Sequence, residues 1–395
     1  MKDNPRIDKI ITGVLFAGLF LGLVFVYFAQ ERLSLRILFG AGFSLGPEKY
    51  IRIGSVILIF LSVLLAVFRA KEKYLIQIYL AYILLLAYVF GVYVLGGGSL
   101  TNTTDLMDIK GPGPWICLGL IFVSYNELRF KWFQYFLAIA VIVIALMGIY
   151  TFLDFGIGSY RGQALAKYRV YAVTMVWITP YVFLSLKTHK TLAKYRGLAL
   201  VAGISLALII QTRSFLLIYF LVLFFDFYHS EKKSLYILSA LISAFLFFSV
   251  LLSGEFLGGA VDSLGQRGLD DTRTEQLRAF FSQLDFFEVI VGKGSDATWN
   301  FGGKQYPYLD NQWLLLLWWA GLIPFLAYLY LTAYIPIRMF LRSKDYETKV
   351  EAFVLVIWVL ACAGLAIYTT MSVDFFFIII CIIQGRLLYK YSLSK

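Results

Sequence analysis

Hydrophobic positions in this chain run together in long blocks, separated for the most part by short polar stretches. A helix needs about 20 apolar residues to cross roughly 30 Å of hydrocarbon. Blocks of that kind fall near residues 10–29, 51–68, 74–95, 115–126, 133–153, 170–186, 197–211, 213–228, 234–252, 311–336, 351–370 and 373–389. The pattern predicts an all-α polytopic membrane protein of about twelve transmembrane helices. The fourth block is short, and the seventh and eighth are parted only by the turn Gln211-Thr212-Arg213-Ser214. One polar stretch is far longer than the rest. It divides the chain into helices 1–9 (1–252), a large loop (253–310) that carries an amphipathic helix, and helices 10–12 (311–395).

Composition agrees with the pattern. Hydrophobic residues make up 60% of the chain, aromatic residues 18% and charged residues only 15%, whereas charged residues alone make up about a quarter of a soluble domain. More than half of the basic residues fall in alternate short loops: Lys2, Arg6, Lys9; Arg69, Lys71, Lys73; Arg129, Lys131; Lys187, Lys190, Lys194, Arg196; Lys232, Lys233; Arg338, Arg342, Lys344, Lys349; Arg386, Lys390, Lys395. The positive-inside rule assigns these loops to the cytoplasm. Both termini are then cytoplasmic and the 253–310 loop external.

The net charge of +11 follows from that loop bias and from contact with anionic membrane lipids. No nucleic-acid-binding signature accompanies it, so no nucleic-acid partner is expected. Cys117, Cys362 and Cys381 all sit in apolar helices and read as buried residues, with no disulfide framework and no metal site. Residues 10–29 are too long for a signal-peptide core and read as an uncleaved first span. No internal repeat is visible. Asp154, Asp226 and Asp374 lie near span ends, within reach of water or headgroups, and mid-depth carboxylates of the kind that mark coupled transporters are hard to find.

Candidate chemistry gathers on the external side. Arg161, Lys167 and Arg169 form a basic, aromatic loop with Tyr160 and Tyr168 ahead of the sixth span, and Arg213 occupies the tight turn between spans seven and eight. Arginine stays charged and grips phosphate oxygens bidentately, so this set suits a lipid-linked diphosphate; snorkelling to lipid headgroups is the structural alternative. In the large loop, Thr272-Arg273-Thr274-Glu275 has capping-box spacing. Leu277, Phe280, Phe281, Leu284 and Phe287 then recur at helical spacing, which predicts one amphipathic helix against the membrane portion. Arg273 falls on the apolar side of that helix and Arg278 at its flank. An inward guanidinium requires an anion, either a loop carboxylate such as Asp310 or a substrate phosphate.

Val291-Gly292-Lys293-Gly294 lacks the spacing of a nucleotide-binding loop and reads as a glycine turn. Tyr306-Pro307-Tyr308-Leu309-Asp310-Asn311 ends the loop, with Asp310 able to cap the next span or to act as a base. Trp299, Tyr306 and Tyr308 suit sugar stacking, or equally a place at the membrane interface.

Taken together, the span count, the late external loop, the Arg213 turn, and Arg273 followed by Val291-Gly292-Lys293-Gly294, Asp310-Asn311, Leu314-Leu315-Leu316 and Gly321-Leu322 resemble the O-antigen polymerase and ligase superfamily. The motifs cover roughly residues 198–325, and topology alone the rest. The resemblance implies a C-type glycosyltransferase (GT-C-like) fold in the bacterial inner membrane. It also implies transfer of a glycan from a polyprenyl (undecaprenyl) diphosphate carrier, without nucleotide sugar, metal or other cofactor, and a chain-length regulator as a possible partner.

Ligases of this superfamily carry His directly before the Asn of the matching motif. Here Asp310 stands in that place, and the two histidines, His189 and His229, fall on the cytoplasmic side, which favours a polymerase. The resemblance then gives Arg213 and Arg273 to the diphosphate and Asp310 to the acceptor hydroxyl as general base, with Arg161, Lys167, Arg169, Arg278, Tyr306, Tyr308, Trp299 and Asn311 as substrate-binding residues. A ligase, a peptidoglycan-type polymerase and, in a different class, a lipid-linked oligosaccharide flippase are the alternatives.

Overall fold

Only helices and closed barrels satisfy every backbone group within hydrocarbon, and the chain uses helices. The computed structural model describes residues 5–39, 49–70, 73–98, 111–156, 161–189, 192–210, 212–230, 272–294, 297–306, 309, 311–361 and 375–395. Among them are α1 (Pro5–Phe39), α2 (Lys49–Ala70), α3 (Ile76–Leu95), α4 (Gly113–Leu118, continued by a 3-10 segment Gly119–Val123), α5 (Glu127–Phe155), α6 (Arg161–Ser185), α7 (Arg196–Ile209) and α8 (Arg213–Tyr228). After them come α9 (Thr272–Phe281), α10 (Phe286–Val291), strands β1 (Trp299–Phe301) and β2 (Lys304–Tyr306), α11 (Gln312–Ala320), α12 (Leu322–Leu329), α13 (Ile335–Arg342), α14 (Tyr346–Ala361) and α15 (Phe375–Leu393). A π-helical turn, Tyr330–Tyr334, joins α12 to α13.

Six helical stretches among the described residues are long and apolar enough to cross a bilayer: Arg6–Glu31, Tyr50–Ala70, Ile76–Leu95, Glu127–Phe155, Ala166–Thr188 and Leu322–Arg342. The protein is an all-α, multi-pass membrane protein. The ninth expected span, 234–252, lies outside the described residues, as does the second half of the eleventh.

The chain divides into two units. The first comprises Met1–Phe28, Leu45–Ala140 and Arg278–Lys395, and the second Ala29–Ser44 and Val141–Leu277. The innermost part of the first unit is α4 with its 3-10 continuation, where Trp115, Cys117, Leu118 and every residue from Leu120 to Val123 are at most 1% exposed. The sequence predicts a short span here, and the structure shortens it further. Six α-helical and five 3-10 residues rise only about 19 Å, and Pro114 opens the helix at its first turn.

This segment packs closely against α15. A Cβ on Gly385 would lie 2.0 Å from the Ile121 carbonyl oxygen, and the Ser124 hydroxyl donates to the Ile382 carbonyl at 2.6 Å. Tyr74 joins the same seam by donating to the Ile121 carbonyl at 2.8 Å.

Ionic contacts bring both termini to one end of this unit. Arg129 bonds Asp8 at 3.0 Å and the Val123 carbonyl at 2.6 Å. Arg386 bonds Glu127 at 3.0 Å, and the Leu75 amide donates to Ser392 at 3.0 Å. The start of α3 is therefore level with both chain ends. The other end of α3 meets the large loop, where the Cβ direction of Gly294 points 3.0 Å from Gly96 Cα. Since α3 rises about 30 Å, Gly294 and the contact of Leu75 with Ser392 lie at opposite ends of it.

Gly385→Ala should sharply reduce the yield of monodisperse protein in detergent, because its methyl meets backbone on α4's continuation, and overpacking of this kind costs about 1–3 kcal/mol or more. Gly91→Ala, with nothing within 4 Å of the new methyl, should leave the yield unchanged in the same size-exclusion assay.

Candidate functional site

The expected span 311–336 is not one helix. It breaks at Gly321, whose φ of +88° is open to glycine at little cost, and the chain doubles back there. The Gln312 amide donates to the Tyr328 hydroxyl at 2.7 Å, and the Trp313 ring lies 5.6 Å from that of Tyr328. In a straight helix these positions would stand about 24 Å apart. Helices α11 and α12 thus form a hairpin with its bend on the loop-bearing face. Tyr328 lies seven residues down α12, so Gln312 and the preceding Asn311 are recessed about 10 Å from the bend.

This corrects the expected placement of Asn311 at the mouth of a spanning helix. Asn311 caps the recessed helix, its side chain accepting from the Leu314 amide at 3.1 Å, which is a structural use of a residue expected to contact substrate. Asp310 and Tyr308 lie outside the described residues. The end of α4 reaches the same place, with the Trp115 ring 6.0 Å from Trp319 and 5.5 Å from Tyr328. The indole Nε1 atoms of Trp115 and Trp319 are buried there with no hydrogen-bond acceptor among the described residues. Two interrupted helices therefore abut inside the first unit, a feature the sequence reading did not anticipate. Gly321 followed by Pro324 is the local signal for such a break.

The large loop caps this hairpin. Amides of Lys293 and Gly294 donate to the Trp318 and Trp319 carbonyls at 2.9 and 3.0 Å, satisfying groups that the end of α11 leaves free. The glycine turn expected at 292–294 is present, with φ of +94° and +89° at its two glycines. The single amphipathic helix is not present. Asp285 accepts from the Phe287 amide and starts a second helix, so Phe280 and Phe287 belong to different elements. Phe280 is 1% exposed and Phe287 69%.

Between Gly294 and α11 the chain forms an antiparallel hairpin pairing Trp299 with Tyr306, a departure from purely helical structure. Gly302 and Gly303, both at positive φ, make the two-residue turn whose twist suits such hairpins. Gln283 acts as a third strand. Its side chain donates to the Asn300 carbonyl and accepts from the Asn300 amide, each at 2.8 Å. Trp299 is 4% exposed, with its ring 5.7 Å from Phe280 and 5.5 Å from Tyr306. It is core to the loop rather than an open stacking surface, whereas Tyr306 is half-buried. Arg278 is exposed on α9, and Arg273 stands on its first turn with its side chain outside the described residues.

In the second unit, Arg161 opens α6, so Lys167 and Arg169 belong to a helix and not to the expected loop. Arg169 is exposed, and the Lys167 ammonium lies 5.2 Å from the Phe155 ring centre. At the opposite end of α6, Asp226 is fully buried and held by Lys187 at 2.8 Å and by both terminal nitrogens of Arg196 at 3.0 and 2.9 Å. It does not reach water or headgroups, contrary to expectation.

That cluster levels the start of α7 with the ends of α6 and α8. From it α7 rises about 21 Å and α8, read backwards, about 24 Å, against about 37 Å for α6. Arg213, the first residue of α8, therefore lies within the depth of α6 and not at its end. The Arg213 and Arg161 side chains lie outside the described residues.

Compared with family models, with curated proteins and with solved structures, the chain matches none.

The α11–α12 hairpin makes a direct prediction. Cysteines introduced as Gln312→Cys and Tyr328→Cys should be joined by a short bismaleimide in membranes, read by mass spectrometry of the linked peptide. A straight 311–336 helix would yield none.

Proposed function

We propose that this protein is an O-antigen or surface-polysaccharide polymerase of the bacterial inner membrane. It would transfer a growing glycan from undecaprenyl diphosphate to a lipid-linked repeat unit on the external side. In this reading the chain makes about twelve passes with both termini cytoplasmic, and the loop of 253–310 is external. The observation that carries the proposal is the recess at Asn311. A polyprenyl diphosphate keeps its phosphates at the membrane surface and its tail in hydrocarbon, so a residue reacting at the sugar–phosphate bond belongs slightly below the loop-bearing face. The Gly321 hairpin recesses Asn311 from the bend, and the reacting carboxylate is assigned to its neighbour in sequence, Asp310.

The chemistry follows from the groups assigned. The Asp310 carboxylate takes the proton of the acceptor hydroxyl as its oxygen attacks the anomeric carbon. The bond from that carbon to the phosphate oxygen breaks, and its electron pair leaves with the lipid diphosphate. Arg213 and Arg273 offset the charge that develops there, and arginines fixed in a low-dielectric site do this without reorganisation. Arg213 opens α8, and an arginine at a membrane boundary suits such a role. Arg161, Lys167, Arg169 and Arg278 supply supporting cations. Tyr306 and Tyr308 are assigned to the glycan, and a chain-length regulator is the expected protein partner.

In a reconstituted assay with purified lipid-linked repeats, Asp310→Asn should lower chain extension by about 10²-fold or more while insertion is unchanged. Arg213→Lys and Arg273→Lys should each reduce polymer strongly, because lysine keeps the charge but loses the planar fork. Full-length polymer from all three variants would overturn the assignment.

The pair of interrupted helices gives one specific reason to hold a second reading, a lipid-linked oligosaccharide flippase, since transporters build sites from such breaks. Deleting the gene separates the two. Loss of a polymerase leaves surface caps of a single repeat on gels, whereas loss of a flippase traps the repeats inside.

A further inference from the structure

Helix α10 keeps none of its residues buried. Phe286 is 80% exposed, Phe287 69%, and Ile290 and Val291 40% each. The same loop encloses Phe280 and Trp299 almost completely, so it contains an apolar interior that excludes these four. Fully burying a phenylalanine gains about 1.5–3 kcal/mol over leaving it in water, and two adjacent exposed phenylalanines need an apolar partner.

Position identifies the partner. The Val291 carbonyl accepts from the Tyr88 hydroxyl of α3 at 3.2 Å, and Gly292 lies in backbone contact with the α11–α12 bend. The residues that flank α10 on these helices are also apolar and exposed: Val94 and Leu95 on α3 at 49% and 89%, and Leu322, Ile323 and Leu326 on α12 at 39%, 48% and 55%. Both helices belong to membrane-length spans, so their exposed apolar faces meet acyl chains. Among the described residues, the apolar positions of α10 continue that surface. Its own carboxylates are engaged: Asp285 caps the helix, and Glu288 pairs with Lys293 at 3.1 Å, while the Lys293 ammonium lies 5.9 Å from the Trp318 ring centre. Neutralising a carboxylate in this way lowers the cost of bringing it to a lipid boundary.

We propose that α10 is an interfacial helix inserted into the leaflet on the loop-bearing face, with Phe286 and Phe287 among the acyl chains and the bilayer itself as its partner. Gly292 joins α10 to the bend at Gly321, so this insertion sets the height of the recessed segment that begins at Asn311. The inference does not depend on which substrate the protein handles.

The test uses full-length protein in nanodiscs of phosphatidylethanolamine and phosphatidylglycerol, spin-labelled at Phe286→Cys or at Phe287→Cys. Lys304→Cys on the exposed hairpin serves as a reference, and the unsubstituted protein gives the background from the native cysteines Cys117, Cys362 and Cys381. Both α10 labels should relax strongly with oxygen and weakly with a water-soluble nickel chelate, at a depth of about 5–10 Å below the headgroups. Nickel accessibility equal to that at position 304 would place α10 in water and overturn the proposal. Shielding from both reagents would show a protein covering the face and overturn it equally.

Discussion

The contact between Gly292 and Gly321 is the constraint on which the loop-bearing half of the first unit depends. A Cβ at Gly292 would lie 2.7 Å from the Ala320 carbonyl carbon, and one at Gly321 would lie 2.7 Å from the Ile290 oxygen. Each position also holds a φ near +90°, where side-chain-bearing residues are strained. The two glycines let two backbones meet without side chains between them. That approach brings the loop amides of Lys293 and Gly294 onto the last carbonyls of α11, allows the chain to reverse into α12, and fixes where α10 leaves the bundle.

The polar groups follow the logic of a solvent that forms no hydrogen bonds. In hydrocarbon an unsatisfied backbone or side-chain group costs several kcal/mol, so irregular backbone persists only where protein encloses it. Gln312 meets Tyr328, and Gln384 donates to the Leu331 carbonyl at 2.6 Å within the π-helical turn. Asp226 is buried with two cations around it, a cluster in which removing one partner would strand charge. These contacts pin segments where helical hydrogen bonding is interrupted or where a charge has been drawn inside.

Much of the architecture was legible in hydropathy alone. The long apolar runs of α1, α2, α3, α5 and α6 are membrane-length helices in the structure, and Cys117 and Cys381 are buried in their helices as their surroundings implied. The site was less legible. Leu277, Phe280, Phe281, Leu284 and Phe287 share helical spacing, yet Asp285 starts a new helix between them because its side chain caps the Phe287 amide. The sequence left Trp299 either a sugar-stacking or a membrane-interface residue. Its pairing with Tyr306 and its contact with Phe280 are set by a hairpin and by Gln283, neither visible as a local pattern.

The sequence by itself determined the class of protein and several helices long and apolar enough to cross a bilayer, because membrane thickness acts on each segment independently. Only the tertiary structure decided that residues 311–336 fold back on themselves, that α4 is short, and that Asn311 caps a helix recessed from the bend. An average of hydropathy over a window cannot register a reversal, because both limbs of the hairpin are equally apolar. Whether Gly321 bends is settled by the backbone of residues 290–292 pressing against it, and by Gln312 finding Tyr328 across the bend.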